Sequence, residues 1–188
     1  LTLILKKKGS SNICSNLSNK KNYVGCRIPK NSIAQELLWN VDFPIAAPSA
    51  NISTKLSSTR VNHLSKKMKK EIFFLNGGKT LFGLESTIIN VNNKNPNILR
   101  LGSITQEKLN ELIPNIIFVH NQTFSNLSPG QQKKHYAPNL PIRINVNEVL
   151  DGEALLNFGN NKLKSNTIEL NLSTKGNLEE AAKNLYDY

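Results

Sequence analysis

Residue types suited to holding an anion recur in this chain where apolar segments end. The run Pro44-Ile-Ala-Ala-Pro-Ser-Ala-Asn51 brings an apolar stretch into Ser49 and Asn51, followed by Ile52-Ser-Thr-Lys-Leu-Ser-Ser58. Small residues let backbone N–H groups approach a ligand, and the hydroxyl and amide groups add polar contacts. The same composition also builds ordinary turns. Gly83-Leu-Glu-Ser-Thr87 stands similarly before Ile88-Ile-Asn-Val91, where hydroxyls either meet a ligand or bond their own backbone. Arg27, in Val24-Gly-Cys-Arg-Ile-Pro29, and Arg100, in Ile98-Leu-Arg-Leu-Gly102, each sit within strand-like sequence. Guanidinium groups bind carboxylate and phosphate bidentately, although simple alternation also accounts for each as an outward-facing residue. Asn76-Gly-Gly-Lys-Thr80 is a near miss for a phosphate-binding loop. That motif requires glycine where Phe73 stands, so the Gly-Gly pair reads as a turn.

The elements that must carry these residues follow from periodicity and punctuation. Strands are expected at Leu1–Leu5, Tyr23–Ile28, Phe43–Ala47, Ile72–Leu75, Ser86–Val91, Asn97–Leu101 and Ile116–Val119. A helix is expected over Ser32–Trp39, capped by Asn31 or Ser32, with Ile33, Leu37 and Leu38 on one face. A basic helix over Thr59–Lys70 would align Val61, Leu64 and Met68, and a short one would span Ile104–Ile113. The segment from His120 to Pro141 has no periodic apolar pattern and contains Ser128-Pro-Gly and His135-Tyr-Ala-Pro138, so it reads as an ordered linker. Strands at Ile142–Val146 and Thr167–Leu172 come next. A last helix starts near Asn177, with Glu180 placed for a capping box.

Composition narrows the class of protein. With 24 Lys and Arg against 13 Asp and Glu, the 188 residues carry a net charge of +11. The lysine runs lack interleaved aromatics, which argues for a solvated basic surface rather than a stacking platform for nucleic acid. Two cysteines, Cys14 and Cys26, make neither a disulfide framework nor a thiolate metal site. Three scattered histidines do not define a metal site, and no nucleophile–base arrangement follows from spacing. No apolar run is long enough to span a membrane, and nothing resembles a signal peptide, so a cytoplasmic location is expected. The chain starts directly in a strand without methionine and stops inside a helical pattern, so it reads as a fragment or the product of a shortened frame.

Taken together, Leu1-Thr-Leu-Ile-Leu5, Val24-Gly-Cys-Arg-Ile-Pro29, Pro44–Asn51, Gly83–Thr87, Ile98–Gly102 and the Ser128-Pro-Gly to His135-Tyr-Ala-Pro138 linker resemble the YrdC-type threonylcarbamoyl-AMP synthase family, in its longer two-domain branch. The resemblance implies an α/β fold with residues 1–120 as an incomplete YrdC-like twisted open sheet. Residues 121–141 would be a linker covering the active site, and 142–188 a partial Rossmann-like domain. It implies a nucleotidyltransferase that makes threonylcarbamoyl-AMP and pyrophosphate from L-threonine, bicarbonate and ATP for tRNA modification, with Mg²⁺ accompanying ATP. Downstream partners would be the proteins that transfer the threonylcarbamoyl group to tRNA, with tRNA itself an optional partner. The implied ATP contacts are Tyr23, Ser49, Asn51, Ser57, Arg100 and Tyr136, and the implied threonine contacts are Arg27, Ala47 and Ser86. No covalent nucleophile is expected. The family's Lys-x-Arg element, which precedes the Leu-Thr-Leu-Ile-Leu strand, is not in this sequence, and Tyr23 stands where a threonine is usual. Pyrophosphate release by this chain alone is therefore not expected. The alternative is a non-catalytic RNA-binding module of the same fold, with double-stranded RNA as its ligand class. Hydrogenase-maturation proteins with this domain add zinc-finger cysteine pairs, which are missing here.

Overall fold

The computed structural model describes residues 1–18, 22–52, 55–119 and 140–188, which fall into two compact units. The first unit comprises Leu1–Ser49, Leu75–Gly77 and residues 85–119. It holds a five-stranded mixed sheet in the order β2-β1-β3-β4-β5. The strands are β1 (Thr2–Lys6), β2 (Tyr23–Cys26), β3 (Ile88–Asn90), β4 (Asn97–Arg100) and β5 (Ile117–Phe118). β1 runs antiparallel to β2 and parallel to β3, β3 is antiparallel to β4, and β4 is parallel to β5.

Side chains alternate across this sheet, so the central strands β1, β3 and β4 feed two apolar layers. Ile89, Ile98, Leu109 and Ile116 form one buried cluster, joined by Leu3, Val91, Ile104, Ile113 and Phe118. Ile4, Ile88 and Leu99 form the other. Leu109 comes from α3 (Gln106–Asn110), whose N-cap Thr105 accepts a hydrogen bond from the Lys108 N–H. The β3–β4 register slips between Ile88 and Ile89: Ile88 pairs with Arg100 but Ile89 pairs with Ile98. One extra residue on β4 makes a bulge, a device that re-aims the side chain beside it.

Helix α1 (Ser32–Trp39) starts at Asn31, whose side chain accepts from the Ala34 N–H and donates to Gly77 O at 3.0 Å. Its expected core face is not buried: Ile33 is 37% and Leu37 42% exposed. The expected strand at Phe43–Ala47 does not form. Pro44 and Pro48 have no N–H to give a ladder, and this stretch is exposed throughout.

The second unit comprises Ala50–Phe74, Gly78–Leu84 and residues 140–188. The long basic helix expected here is broken. A 3₁₀ turn covers Val61–His63, Leu64 is extended, and α2 (Lys66–Glu71) begins afresh at Ser65, whose hydroxyl accepts from the Met68 N–H. Serine bonds its own backbone more readily than it continues a helix, which places the break. Neither Ile72–Leu75 nor Ile142–Val146 is a strand. A two-stranded parallel sheet instead joins β6 (Leu155–Asn157), which sequence reading missed, to β7 (Glu169–Asn171). Helix α4 (Leu178–Asn184) starts at the expected Asn177, which caps the Glu180 N–H at 2.8 Å. The capping box is relayed: Ser173 accepts from the Asn177 N–H and donates to the Glu180 carboxylate at 2.6 Å. Among the described residues no helix is long and apolar enough to cross a membrane.

Candidate functional site

Four neighbouring strands each bring one polar residue to the same end of the first unit's sheet. Arg27 follows β2, Thr2 opens β1, Ser86 precedes β3 and Arg100 closes β4. They meet at the Ser86 hydroxyl. Arg27 Nη2 donates to Ser86 Oγ at 2.6 Å and Arg100 Nη2 donates to it at 3.1 Å. Thr2 Oγ1 lies 2.8 Å from the same oxygen and accepts from Arg27 Nε at 3.0 Å. Arg100 Nε also donates to Ser86 O at 3.0 Å, and its Nη2 reaches Glu85 Oε2 at 3.5 Å.

The loop carrying Ser86 is clamped on both sides. Thr87, fully buried, donates through Oγ1 to Ile104 O at 2.6 Å and accepts from the Ile104 N–H at 3.1 Å. Gly102 packs so closely that a Cβ there would lie 2.3 Å from Glu85 O and 2.5 Å from Thr87 N. Only glycine fits against that backbone. The β4 bulge turns Arg100 to the loop, and its side chain is only 12% exposed. Alternation had left Arg100 open to an outward reading, and the bulge decides against it.

Two guanidinium groups converge on one hydroxyl here, and the Glu85 carboxylate lies beside that of Arg100. Such an arrangement receives an anion, because a hydroxyl oxygen does not neutralise charge. Thr2 and Glu85 belong to this cluster but were not singled out from the sequence. A threonine in a strand carries no signal beyond β-propensity, and Glu85 lies in a motif read for its hydroxyls.

The other expected site residues are distributed. Tyr23 begins β2 opposite Lys6, partly exposed. Ala47 and Ser49 lie exposed on the first unit's irregular stretch after α1. Asn51 and Ser57 belong to the second unit and are half-buried. Asn51 Nδ2 donates to Lys55 O at 2.8 Å and Ile52 O at 3.1 Å, which locks the loop, while its buried Oδ1 has no partner among the described residues. Ser58 closes the same loop by donating to Ala50 O at 2.8 Å. Tyr136 lies outside the described residues, as does most of the expected linker. Cys14 and Cys26 are both exposed free thiols. Gly78 has φ of 79°, as the turn reading of the Gly-Gly pair requires.

A second polar cluster, within the second unit, centres on Asp187, whose side chain is 1% exposed. Thr59 Oγ1 donates to it at 2.9 Å, Arg60 engages both carboxylate oxygens, Lys79 Nζ lies at 2.5 Å and His63 Nε2 at 3.8 Å. Burial works to raise the Asp187 pKa. Hydrogen bonds from Arg60, Lys79 and Thr59, with the Lys79 charge, prevail and hold it well below the ordinary aspartate value.

Comparison with known proteins supplies the lineage. The Sua5/YciO/YrdC family model, described as telomere recombination, matches residues 1–102, and that of the threonylcarbamoyl-AMP synthase C-terminal domain matches residues 104–188. A Bacillus subtilis threonylcarbamoyl-AMP synthase is 36% identical over 125 residues, 64% of this chain and 36% of that protein. A Pyrococcus abyssi threonylcarbamoyl-AMP synthase is 33% identical over 148 residues, 76% of this chain and 43% of that protein. A crystal structure of P. abyssi Sua5 complexed with L-threonine matches with TM-score 0.76 at 27% identity, covering 99% of this chain and 59% of the other. The chain thus spans only part of the length of each protein it matches. These matches establish that the chain belongs to the Sua5/YciO/YrdC family and carries sequence of the threonylcarbamoyl-AMP synthase C-terminal domain.

Proposed function

We propose that the cluster of Arg27, Ser86 and Arg100 serves an L-threonylcarbamoyladenylate synthase, binding L-threonine beside ATP. The observation that carries this reading is the convergence of two guanidinium groups on Ser86 Oγ. Arg27 would take the threonine carboxylate, with Ala47 and Ser86 lining the same substrate, and Arg100 would face the nucleotide. Tyr23, Ser49, Asn51, Ser57 and Tyr136 would complete the ATP contacts. The complex of P. abyssi Sua5 with L-threonine supports threonine as the amino acid.

The chemistry needs no enzyme nucleophile. The threonine amine adds to bicarbonate with loss of water, or to carbon dioxide with loss of a proton, giving a carbamate. A carbamate oxygen then attacks the α-phosphorus, forming a P–O bond as the bond to the β-phosphate oxygen breaks and pyrophosphate leaves. What the protein contributes is alignment and stabilisation of negative charge. Among the described residues no three His, Cys, Asp or Glu side chains gather to hold a metal. Mg²⁺ would arrive on the triphosphate, whose charge it neutralises, and Asn51 Oδ1 is a partnerless neutral oxygen of the kind such an ion accepts. Because Asn51 Nδ2 is spent on loop carbonyls, this residue would offer an acceptor rather than a donor to the nucleotide. The tRNA-modifying pathway and its transfer proteins would lie downstream of the product.

Calorimetric titration tests the reading. L-Threonine should bind the wild-type chain, and Arg27→Ala should weaken binding by about tenfold or more, the loss of one charge-assisted bidentate contact. Ser49→Ala and Arg100→Ala should weaken ATP binding. Threonine affinity unchanged by Arg27→Ala, or equalled by acetate, would overturn the assignment.

A further inference from the structure

The hydroxyl that governs Arg27 is that of Thr2. We propose that Thr2 is a positioning residue which fixes the Arg27 guanidinium so that its outer edge, and not its side edge, meets a carboxylate. The inference rests on the threonine-binding reading above for the identity of that carboxylate, but its geometry stands on the hydrogen bonds alone.

A hydroxyl has one proton and two lone pairs. Arginine can only donate, so Ser86 Oγ accepts from both Arg27 Nη2 and Arg100 Nη2, and Thr2 Oγ1 accepts from Arg27 Nε. Both lone pairs of Ser86 are then used. The 2.8 Å contact between the hydroxyls must be Ser86 donating to Thr2, since the reverse would ask Ser86 to accept three bonds. In this order Ser86 gives one bond and accepts two, while Thr2 accepts two.

Two consequences follow. The Nε–Nη2 side of Arg27 is committed to the hydroxyl pair, and among the described residues these are its hydrogen bonds. Nη1 and the second Nη2 proton are left for a ligand, pointing from a residue that is itself exposed. Ser86 has no lone pair left for an ammonium or hydroxyl donor, so it recognises a substrate through the arginines it holds.

Thr2 is built for this role. It is 8% exposed, its N–H donates to Thr87 O at 2.9 Å, and it pairs with Ile88 in the parallel ladder of β1 and β3. Its hydroxyl is thereby anchored beside Ser86, in the strand between those that carry Arg27 and Ser86. Removing it would leave Arg27 Nε without an acceptor and the guanidinium on a single bond to Ser86, free to rotate.

Thr2→Val keeps the shape and removes the hydroxyl, and Thr2→Ser restores the hydroxyl. Nitrogen-15 NMR of the full chain would follow the Arg27 Nε–H signal, alongside titration with L-threonine. In Thr2→Val the Nε–H proton should exchange with water markedly faster and L-threonine should bind about tenfold more weakly, with Thr2→Ser restoring both. An Nε–H signal as protected in Thr2→Val as in wild type overturns the proposal, as does failure of serine to rescue. If wild type binds no L-threonine while protection still follows the hydroxyl, the positioning role is upheld and the threonine reading falls.

Discussion

The two units are held together by different physics. Among the described residues, seven of the nine buried hydrophobics, Ile4, Ile88, Ile89, Ile98, Leu99, Leu109 and Ile116, lie in the first unit and form its two layers. The second contributes Leu155 and Ala181; both units bury polar groups, Thr2, Thr87, Asn90 and Asn97 in the first and Thr59, Asn157 and Ser173 in the second, but the second's network centres on the buried Asp187 carboxylate. Apolar layers derive their stability from area removed from water, which depends little on pH or salt. A polar network depends on every partner being present and correctly charged. The first unit therefore sets Arg27, Ser86 and Arg100 at the end of a sheet held by apolar layers. In the second, the hydrogen bonds and ion pairs that hold Asp187 respond to its ionisation state.

The largest expected effect comes from the apolar side of this contrast. Ile98, fully buried between β3 and α3 neighbours, should cost about 2–5 kcal/mol when replaced by alanine, the range for deleting a buried aliphatic side chain. Urea unfolding followed by hydrogen exchange should show the loss in amides of the five-stranded sheet. A loss spread equally over both units would break the contrast.

A smaller, pH-dependent effect belongs to the second unit. Asp187 has a folded pKa below its unfolded one, so its contribution is present above the ordinary aspartate range and is lost as pH falls through the folded value. Glu153 behaves alike: hydrogen bonds from Arg143 and then from the Leu150 N–H lower its pKa to about 2, so its share fades as pH falls from about 4 towards 2. Acid titration by NMR should perturb amides around Asp187 and Glu153 while those of Ile89 and Ile98 still exchange slowly. Asp187→Asn should cost on the order of 1–2 kcal/mol at neutral pH, because Arg60 and Lys79 retain access to water, and should flatten this acid dependence. Simultaneous loss in both units would show that polar and apolar regions unfold as one.

The smallest effect is expected at Lys67–Glu71, an exposed pair 3.9 Å apart on α2. Glu71→Gln should shift stability by no more than about 0.5 kcal/mol, a change that thermal melting barely resolves. A clear loss there would mean that surface charge pairs matter in this lysine-rich chain.

Legibility followed the same division. Leu, Ile and Val residues identified β1, β3 and β4 because these strands bury apolar side chains in the sheet's two layers, and β5 because Ile117-Phe118 follows the buried Ile116. Local caps identified α1 and α4, whose Asn31 and Asn177 act within a few residues of themselves. Failures came where local pattern and wider context disagreed. Phe43–Ala47 is apolar but contains Pro44 and is followed by Pro48, and the helical spacing of Val61, Leu64 and Met68 survives in half-buried side chains although the helix itself is cut at Ser65. β6 was missed because Leu155–Asn157 is too short to display a period.

For the site, residue types and family resemblance marked Arg27, Ser86 and Arg100 before any fold was known. Hydroxyl and guanidinium chemistry is local to the side chain, so sequence can announce an anion-binding capacity. It cannot say which groups share an oxygen. That was decided by strand order β2-β1-β3-β4, by the extra residue on β4 that turns Arg100, and by the backbone contact that only Gly102 permits. Thr2 and Ser86 are 84 positions apart, and only parallel pairing of β1 with β3 sets their hydroxyls 2.8 Å from one another. Non-local pairing is paid for by the folding of the whole sheet, which is why it leaves no trace in the residues on either side of Thr2.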